Sequence, residues 1–213
     1  MAKEIKGIIG KLEAMHGKPR VELDYSNPLE LTVATILSAQ CTDERVNRVT
    51  ARLFKKYRKV EDYLDAPLPE LEEEIRETGF YHNKARSLKT VVGEIKERFA
   101  GKIPDDIDAL ATVKGIGRKS ANMIVGLAYG RPALIVDTHV TRVSGRLGLT
   151  ENKDPERIER DLAGLVPKKD WTAFSLLMIL HGRYVCKAKK PECPRCALKE
   201  DCEYWLGGNY EGP

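Results

Sequence analysis

The chain has 213 residues, 42% hydrophobic and 32% charged, which is enough apolar material for the core of one domain or two small lobes. Its net charge of +4 permits a nucleic-acid partner without requiring one, because a local patch matters more than the total. No apolar run approaches the roughly 18 residues of a membrane span, and the N-terminal segment carries no cleavage-site pattern. We therefore expect an intracellular, cytoplasmic protein with no membrane partner.

The predicted elements are helices separated by short breaks. The first is amphipathic, with Ile5, Ile8 and Leu12 on one face. Asn27 followed by Pro28 predicts the start of a second helix, because proline is favoured directly after a cap. Further helices are predicted after Thr42, from Pro69 to Gly79, over 85–99, over 106–113, from Arg118 to Leu127, from Thr138 to Leu147, after Asp154 and from Trp171 to Tyr184. No segment shows a convincing strand alternation, so the predicted fold class is all-α.

Two closely spaced glycines, Gly115 and Gly117, separate two of these helices in the stretch VKGIGRKSAN, residues 113–122. A glycine turn before a helix N-terminus offers unpaired N–H groups to an anion, most often a phosphate. The Walker A interpretation fails, because Arg118 stands where that loop needs its last glycine. A helix-hairpin-helix that grips the DNA backbone remains, with a plain helix-helix turn as the alternative.

A lysine and an aspartate near this turn are the candidate catalytic residues. Lys119 lies at a helix start, where the helix dipole disfavours a cation and so favours a reactive, neutral amine. Partial burial of the amine would act in the same direction. The alternative role for Lys119 is a phosphate contact beside Arg118. Asp137, in IVDTHVTRV, suits a helix N-cap, and a capping carboxylate can also stabilise a cationic transition state.

Four of the five cysteines lie close together with the spacing C-x6-C-x2-C-x5-C. Four thiolates in so short a segment suit one tetrahedral metal ion or one iron–sulfur cubane. Zinc modules usually pair two short knuckles, and only one short gap is present, so a [4Fe-4S] cluster is favoured over zinc. The predicted ligands are Cys186, Cys193, Cys196 and Cys202.

The loop between these cysteines is basic. Lys187, Lys189, Lys190 and Arg195 lie within it. A metal-ordered loop with several cations would form a compact patch for DNA phosphates. A solvated basic loop is the alternative interpretation.

Three stretches together resemble endonuclease III, a DNA glycosylase family of the helix-hairpin-helix superfamily with a [4Fe-4S] cluster. They are VKGIGRKSAN, IVDTHVTRV, and HGRYVC with the three later cysteines. LSAQCTD and GFYHNKA, at residues 37–43 and 79–85, extend the match, which covers about residues 22–205. The family commonly has proline where Lys114 stands and often leucine where Phe80 stands.

The resemblance implies two helical lobes with a DNA-binding cleft between them. One lobe, residues 21–131, would be a six-helix barrel that includes the hairpin. The other would join residues 1–20 to residues 132–213 and hold the iron–sulfur cluster. A monomer is expected.

The resemblance also implies roles for single residues. Lys119 would be the nucleophile and Asp137 its carboxylate partner, while Gln40 would fill the gap left by a flipped nucleotide and Phe80 would wedge against the opposite base. The implied DNA-binding residues are Gln40, Phe80, Gly115, Gly117, Arg118, His139, Lys187, Lys189 and Lys190. A monovalent cation would join the hairpin when DNA is bound.

The implied function is that of a bifunctional DNA glycosylase and AP lyase of base excision repair. It would act on double-stranded DNA with damaged bases or abasic sites, remove oxidised or damaged pyrimidines and nick the strand by β-elimination through a lysine Schiff base. Two alternatives stay open: a monofunctional mismatch or adenine-type glycosylase, and a non-catalytic DNA-binding module with a metal-stapled tail.

Overall fold

A computed structural model describes residues 4–210, which form helices and no strand. The α-helices are α1 (Ile5–His16), α2 (Pro28–Leu37), α3 (Asp43–Lys56), α4 (Val60–Asp65), α5 (Leu68–Glu74), α6 (Tyr81–Phe99), α7 (Ile107–Ala111), α8 (Arg118–Ala128), α9 (Thr138–Leu147), α10 (Pro155–Leu165), α11 (Trp171–Tyr184) and α12 (Glu203–Leu206). Short 3-10 helices cover Arg76–Thr78, Lys168–Asp170, Cys193–Arg195 and Lys199–Asp201. The predicted all-α fold class is confirmed.

The chain divides into two compact units. One is continuous and runs from Glu22 to Arg131, and the other joins the segment up to Val21 with the segment from Pro132 onward. The outermost parts of the predicted ranges 1–20 and 132–213, namely residues 1–3 and 211–213, lie outside the described residues.

The continuous unit is built around α6. Its residues Leu88, Val91 and Ile95 are almost fully buried, because they recur on one face of the helix. Helices α2, α4 and α5 pack on α6, while α8 packs on both α2 and α7. The start of α2 is fixed by Asn27, whose side chain accepts a hydrogen bond from the Glu30 amide at 3.0 Å. This packing positions the turn between α7 and α8.

The second unit is centred on α11, against which α1 and α9 pack. The segment from Ala133 to Val136 is buried but is not a strand. Hydroxyl groups of α11 satisfy its backbone instead: the Ala133 amide donates to Thr172 Oγ1 at 3.1 Å, and the Ile135 amide donates to Ser175 Oγ at 2.9 Å. This connector leads directly into Asp137 and α9.

The structure differs from the sequence prediction at one helix end and in two short helices. The helix predicted from Pro69 to Gly79 ends at Glu74 and continues as a 3-10 helix. The short helices α4 and α12 were not predicted, because neither is long enough to show a helical period. Within the described residues, no helix is long and apolar enough to span a membrane.

Candidate functional site

The turn between α7 and α8 depends on one of its two glycines. Gly115 has a φ of +100°, and a Cβ atom there would lie 3.0 Å from Val91 Cγ2. Gly117 caps α8 with an ordinary φ of −82°, and apart from its two chain neighbours no other described residue has an atom within 4 Å of the position of its missing Cβ. Backbone geometry and packing therefore require glycine at position 115. At position 117 they do not, and the open space leaves room for a ligand to approach the backbone.

The two predicted basic residues after this turn differ in their surroundings. Lys119 is exposed in the first turn of α8, and its amine has no hydrogen-bond or ion-pair partner among residues 4–210. Arg118 instead forms an ion pair with Asp108 of α7. A phosphate contact by Arg118 would compete with this pair, whereas the Lys119 amine is available to a substrate.

Gln40, Phe80 and Gly115 line one pocket of the continuous unit. Gln40 and Phe80 both have left-handed backbones, with φ values of 52° and 49°. This conformation is uncommon for residues other than glycine and is typical of functional sites. The Phe80 side chain is 62% exposed, although it is large and apolar. The pocket therefore carries two strained, solvent-facing residues at its rim.

Lys84 lines the same pocket but was not among the predicted site residues. It is only 5% exposed, and burial lowers the pKa of its amine. The sequence signal was present, because Lys84 precedes Leu88 by four residues and so falls on the buried face of α6.

Asp137 is the N-cap of α9. Its Oδ1 atom accepts hydrogen bonds from the amides of His139 and Val140, both at 2.8 Å. The predicted capping role is therefore confirmed. The two bonds hold the half-buried carboxylate in one orientation. The cap uses Oδ1 alone, so Oδ2 is not needed for it.

His139, the next predicted site residue, is partly buried. Its Nδ1 lies 3.1 Å from Arg142 Nη2. A guanidinium only donates, so Nδ1 is the acceptor in this contact, and we assign the neutral ring the tautomer with its proton on Nε2. Burial lowers the pKa of His139, and the nearby Asp137 carboxylate opposes that shift. The neutral ring therefore has an N–H donor at Nε2.

All four clustered cysteines line one cavity of the second unit. Cys193 and Cys202 are each 9% exposed, and burial raises the pKa of the Cys196 thiol to about 11. A bound metal centre would stabilise the thiolate form of such a buried thiol. Arg146 Nη1 donates to Cys186 Sγ at 3.3 Å, and the Leu198 amide donates to Cys196 Sγ at 3.4 Å. These donors are suited to thiolate ligands, so the residues fit a metal-cluster site.

Across residues 4–210, no group of three or more histidine, cysteine, aspartate or glutamate side chains forms a ready-made site for a metal ion. The case for a metal centre at the four cysteines therefore rests on their shared cavity and on the N–H groups that donate to their sulfurs.

The basic loop that follows Cys186 is held by Arg146 of α9. Its guanidinium donates to the carbonyls of Lys187 at 2.7 Å and Ala188 at 3.1 Å. Lys187 itself pairs with Glu192 at 2.6 Å, while the predicted DNA-binding residues Lys189 and Lys190 are exposed. The Arg195 side chain also pairs with Glu192. Part of the predicted positive patch is therefore neutralised within the loop.

Comparison with known proteins identifies the family. Residues 33–168 match the HhH-GPD superfamily of base excision DNA repair proteins. Endonuclease III of Bacillus subtilis is 46% identical over 201 residues, covering 94% of this chain and 92% of the relative. The chain belongs to the endonuclease III family. Endonuclease III of Synechocystis sp. is 47% identical over 192 residues, covering 90% of this chain and 88% of the relative.

Solved endonuclease III structures share the fold closely. A trapped covalent intermediate of endonuclease III with DNA, an estranged-adenine complex, matches with a TM-score of 0.91 and 41% identity, covering 99% of both chains. A non-covalent endonuclease III–DNA complex also matches with a TM-score of 0.91 and 41% identity, covering 98% of both chains. The predicted family and its activity, that of a base excision repair DNA glycosylase and AP lyase, are confirmed.

Proposed function

We propose that the enzyme removes oxidised or damaged pyrimidines from double-stranded DNA and uses the Lys119 amine as its nucleophile. The amine of Lys119 is exposed directly after the glycine turn and has no partner among residues 4–210, and this observation carries the proposal. A lysine engaged in an ion pair would first have to leave its partner, as Arg118 would have to leave Asp108.

The proposed chemistry follows from attack of this amine at the sugar C1′ atom. The Lys119 nitrogen forms a bond to C1′, loses a proton, and displaces the base as the glycosidic bond breaks. Opening of the sugar gives a Schiff base between Lys119 and C1′. Removal of a C2′ proton then expels the 3′ phosphate by β-elimination, which cuts the strand. The covalent endonuclease III–DNA intermediate described for a relative supports a step of this kind.

Asp137 is assigned the electrostatic role. The amides of His139 and Val140 fix Oδ1, so the carboxylate does not need to reorganise as positive charge develops on the sugar. Its negative charge would stabilise that cation, and it can accept or return a proton during amine attack. The Nε2–H group of His139 is assigned a contact with the DNA backbone.

DNA binding is assigned to three groups of residues. The amides around Gly115 and Gly117, with a monovalent cation when DNA is bound, would hold the phosphates of the lesion strand. Gln40 and Phe80 would enter the duplex where the damaged nucleotide flips out, at a cost of a few kcal/mol. Phosphate contacts are assigned to Arg118, Lys187, Lys189 and Lys190. The last two would contribute most, because within residues 4–210 they have no ion-pair partner, unlike Arg118 and Lys187.

We assign the four-cysteine cavity to a [4Fe-4S] cluster. The buried thiols and their N–H donors support a metal centre, and the single short gap in the cysteine spacing favours a cluster over zinc. When bound, the cluster supplies a cross-link between α11 and the loop that carries Lys189 and Lys190. Iron and sulfide analysis of purified protein tests this assignment, and one zinc per chain without iron would contradict it.

The enzyme is expected to act as a monomer in the compartment that holds the chromosome, since its substrate is chromosomal DNA. Size-exclusion chromatography with light scattering tests the monomer. A stable dimer at enzyme-assay concentrations would contradict it.

Replacement of Lys119 tests the proposed function. Lys119→Gln keeps the size of the side chain but removes the nucleophile, so strand cleavage of lesion-containing duplex should be lost while duplex binding is retained. Lys114→Gln, at an exposed lysine of the same turn, serves as the control and should keep cleavage. Unchanged cleavage by Lys119→Gln would contradict the proposal that Lys119 forms the Schiff base. Base release without cleavage by the wild type would indicate a monofunctional glycosylase that uses water.

A further inference from the structure

Lys84 connects two separate segments of the continuous unit. Its Nζ atom donates to the Leu37 carbonyl at 2.8 Å and to the Thr78 carbonyl at 2.8 Å. Leu37 lies 47 positions before Lys84 in the chain, and Thr78 lies 6 positions before it. With only 5% of Lys84 exposed, solvent competes little for either bond.

Both carbonyls belong to the ends of helices. Leu37 is the last residue of α2, and Thr78 is the last residue of the 3-10 helix Arg76–Thr78. Carbonyls at a helix C-terminus lack intrahelical partners and carry partial negative charge. A lysine amine is therefore a favourable cap for each of them, and one amine caps both ends here.

Each capped carbonyl is followed closely by a residue with a left-handed backbone. Gln40 comes three residues after Leu37, and Phe80 comes two residues after Thr78. Gln40 and Phe80 line the same pocket as Lys84. Strained conformations persist only where the surrounding structure fixes them. The Lys84 amine anchors both segments immediately before the strained residues.

We propose that Lys84 is a positioning residue that fixes Gln40 and Phe80 relative to each other, so that both can enter the DNA duplex. This inference rests on the insertion role given to those two residues under the proposed function. Loss of the amine would leave two buried carbonyls without this donor and would release the two segments from a common anchor. The chemistry at Lys119 would remain, but its access to a nucleotide within duplex DNA would decline.

Lys84→Met tests the proposal, since it keeps the length of the side chain and removes the donor. Lys89→Met is the matched control. Lys89 also lies on α6, and its amine donates to the carbonyl of Leu64 at 2.7 Å and to that of Ala66 at the end of α4. Both variants therefore remove a lysine of α6 that donates to backbone carbonyls at the end of another helix. Only Lys84→Met frees the carbonyls that precede Gln40 and Phe80.

Two substrates separate positioning from general damage to the protein. A lesion in duplex DNA needs insertion and base flipping, whereas a preformed abasic site in single-stranded DNA does not. We expect Lys84→Met to lower kcat/KM on the duplex lesion by about 10- to 100-fold and to leave cleavage of the single-stranded site nearly unchanged. Lys89→Met should behave like the wild type on both. Equal losses on both substrates would overturn the proposal.

A combination variant tests whether Lys84 acts through Gln40 and Phe80. In a Gln40→Ala/Phe80→Ala background, Lys84→Met should cause little further loss on duplex DNA, because the residues that it positions are already gone. A full additive loss would contradict the proposal. If Lys84→Met does not fold, Lys84→Gln replaces it in both experiments, because its shorter side chain removes the amine that joins the two carbonyls but leaves a polar group at the buried position.

The same experiment separates this inference from the proposed function. If Gln40→Ala/Phe80→Ala keeps full activity on the duplex, the insertion role itself is wrong and the inference falls with it. If that variant loses activity while Lys84→Met does not, the inference alone is wrong.

Discussion

The Asp137 carboxylate caps the helix beside it, with its Oδ1 atom accepting a hydrogen bond from the Val140 amide at 2.8 Å. The capping bond and the proposed electrostatic role use the same group but depend on different properties of it. A hydrogen-bond acceptor of the right shape is enough for the cap. Stabilisation of a cationic transition state also needs the negative charge.

Two substitutions of Asp137 should therefore separate stability from activity. Asp137→Asn keeps an acceptor and should change the free energy of unfolding little, while lowering strand cleavage by at least about 100-fold. Asp137→Ala should lower cleavage similarly and also cost about 1 kcal/mol of stability. Thermal denaturation and single-turnover cleavage measure the two effects. Near-normal cleavage by Asp137→Asn would show that the charge is not needed.

The two glycines of the turn should respond differently to alanine. Gly115→Ala places a methyl group 3.0 Å from Val91 Cγ2 in a left-handed backbone and should destabilise the protein by about 1–2 kcal/mol. Gly117→Ala meets no neighbouring atom within 4 Å and should affect stability less. Its methyl group should nevertheless weaken duplex binding, because it keeps a phosphate away from the amides. Equal stability losses in the two variants would contradict this account.

The salt dependence of DNA binding should identify which loop lysines contact phosphates. Lys189→Ala and Lys190→Ala should each reduce the slope of log K against log salt by about 0.9. Lys187→Ala should change the slope less, because the Lys187 amine already pairs with Glu192 at 2.6 Å. Titrations of undamaged duplex at several salt concentrations measure the slopes. A larger effect at Lys187 than at Lys189 and Lys190 would contradict the assignment.

Arg146 should couple the cysteine cavity to the basic loop. Arg146→Met removes the donors to Cys186 Sγ and to the carbonyls of Lys187 and Ala188, so a chelator should remove iron several-fold faster. Arg157→Met, at an exposed arginine of α10, is the control and should lose iron at the wild-type rate. Iron release followed by absorbance measures both rates, and equal rates in the two variants would exclude the coupling.

The sequence predicted helices well where local chemistry defines their ends. The predicted spans of α9 and α11 agree with the structure, and the caps Asn27, Asp137 and Asp154 each accept an amide hydrogen bond. It did not predict α4 or α12, which are too short to show a period. The break after Glu74 was also missed, since no glycine or proline marks it.

The candidate site was only partly visible in the sequence. The cysteine spacing predicted one metal-ligand set, and the structure places all four of these cysteines in the lining of one cavity. The glycine pair predicted the turn before α8. The partners of charged side chains were not predictable: Asp108 for Arg118, Glu192 for Lys187, and helix-end carbonyls for Lys84. These contacts depend on tertiary placement, which residue type and spacing do not encode locally.

Borohydride trapping is the decisive test of Lys119 as the nucleophile. The substrate is a duplex oligonucleotide with one oxidised thymine, and wild type is compared with Lys119→Gln and Lys114→Gln. We expect a covalent protein–DNA adduct with wild type and with Lys114→Gln, and none with Lys119→Gln. An adduct of normal yield with Lys119→Gln would contradict the assignment of Lys119 as the nucleophile.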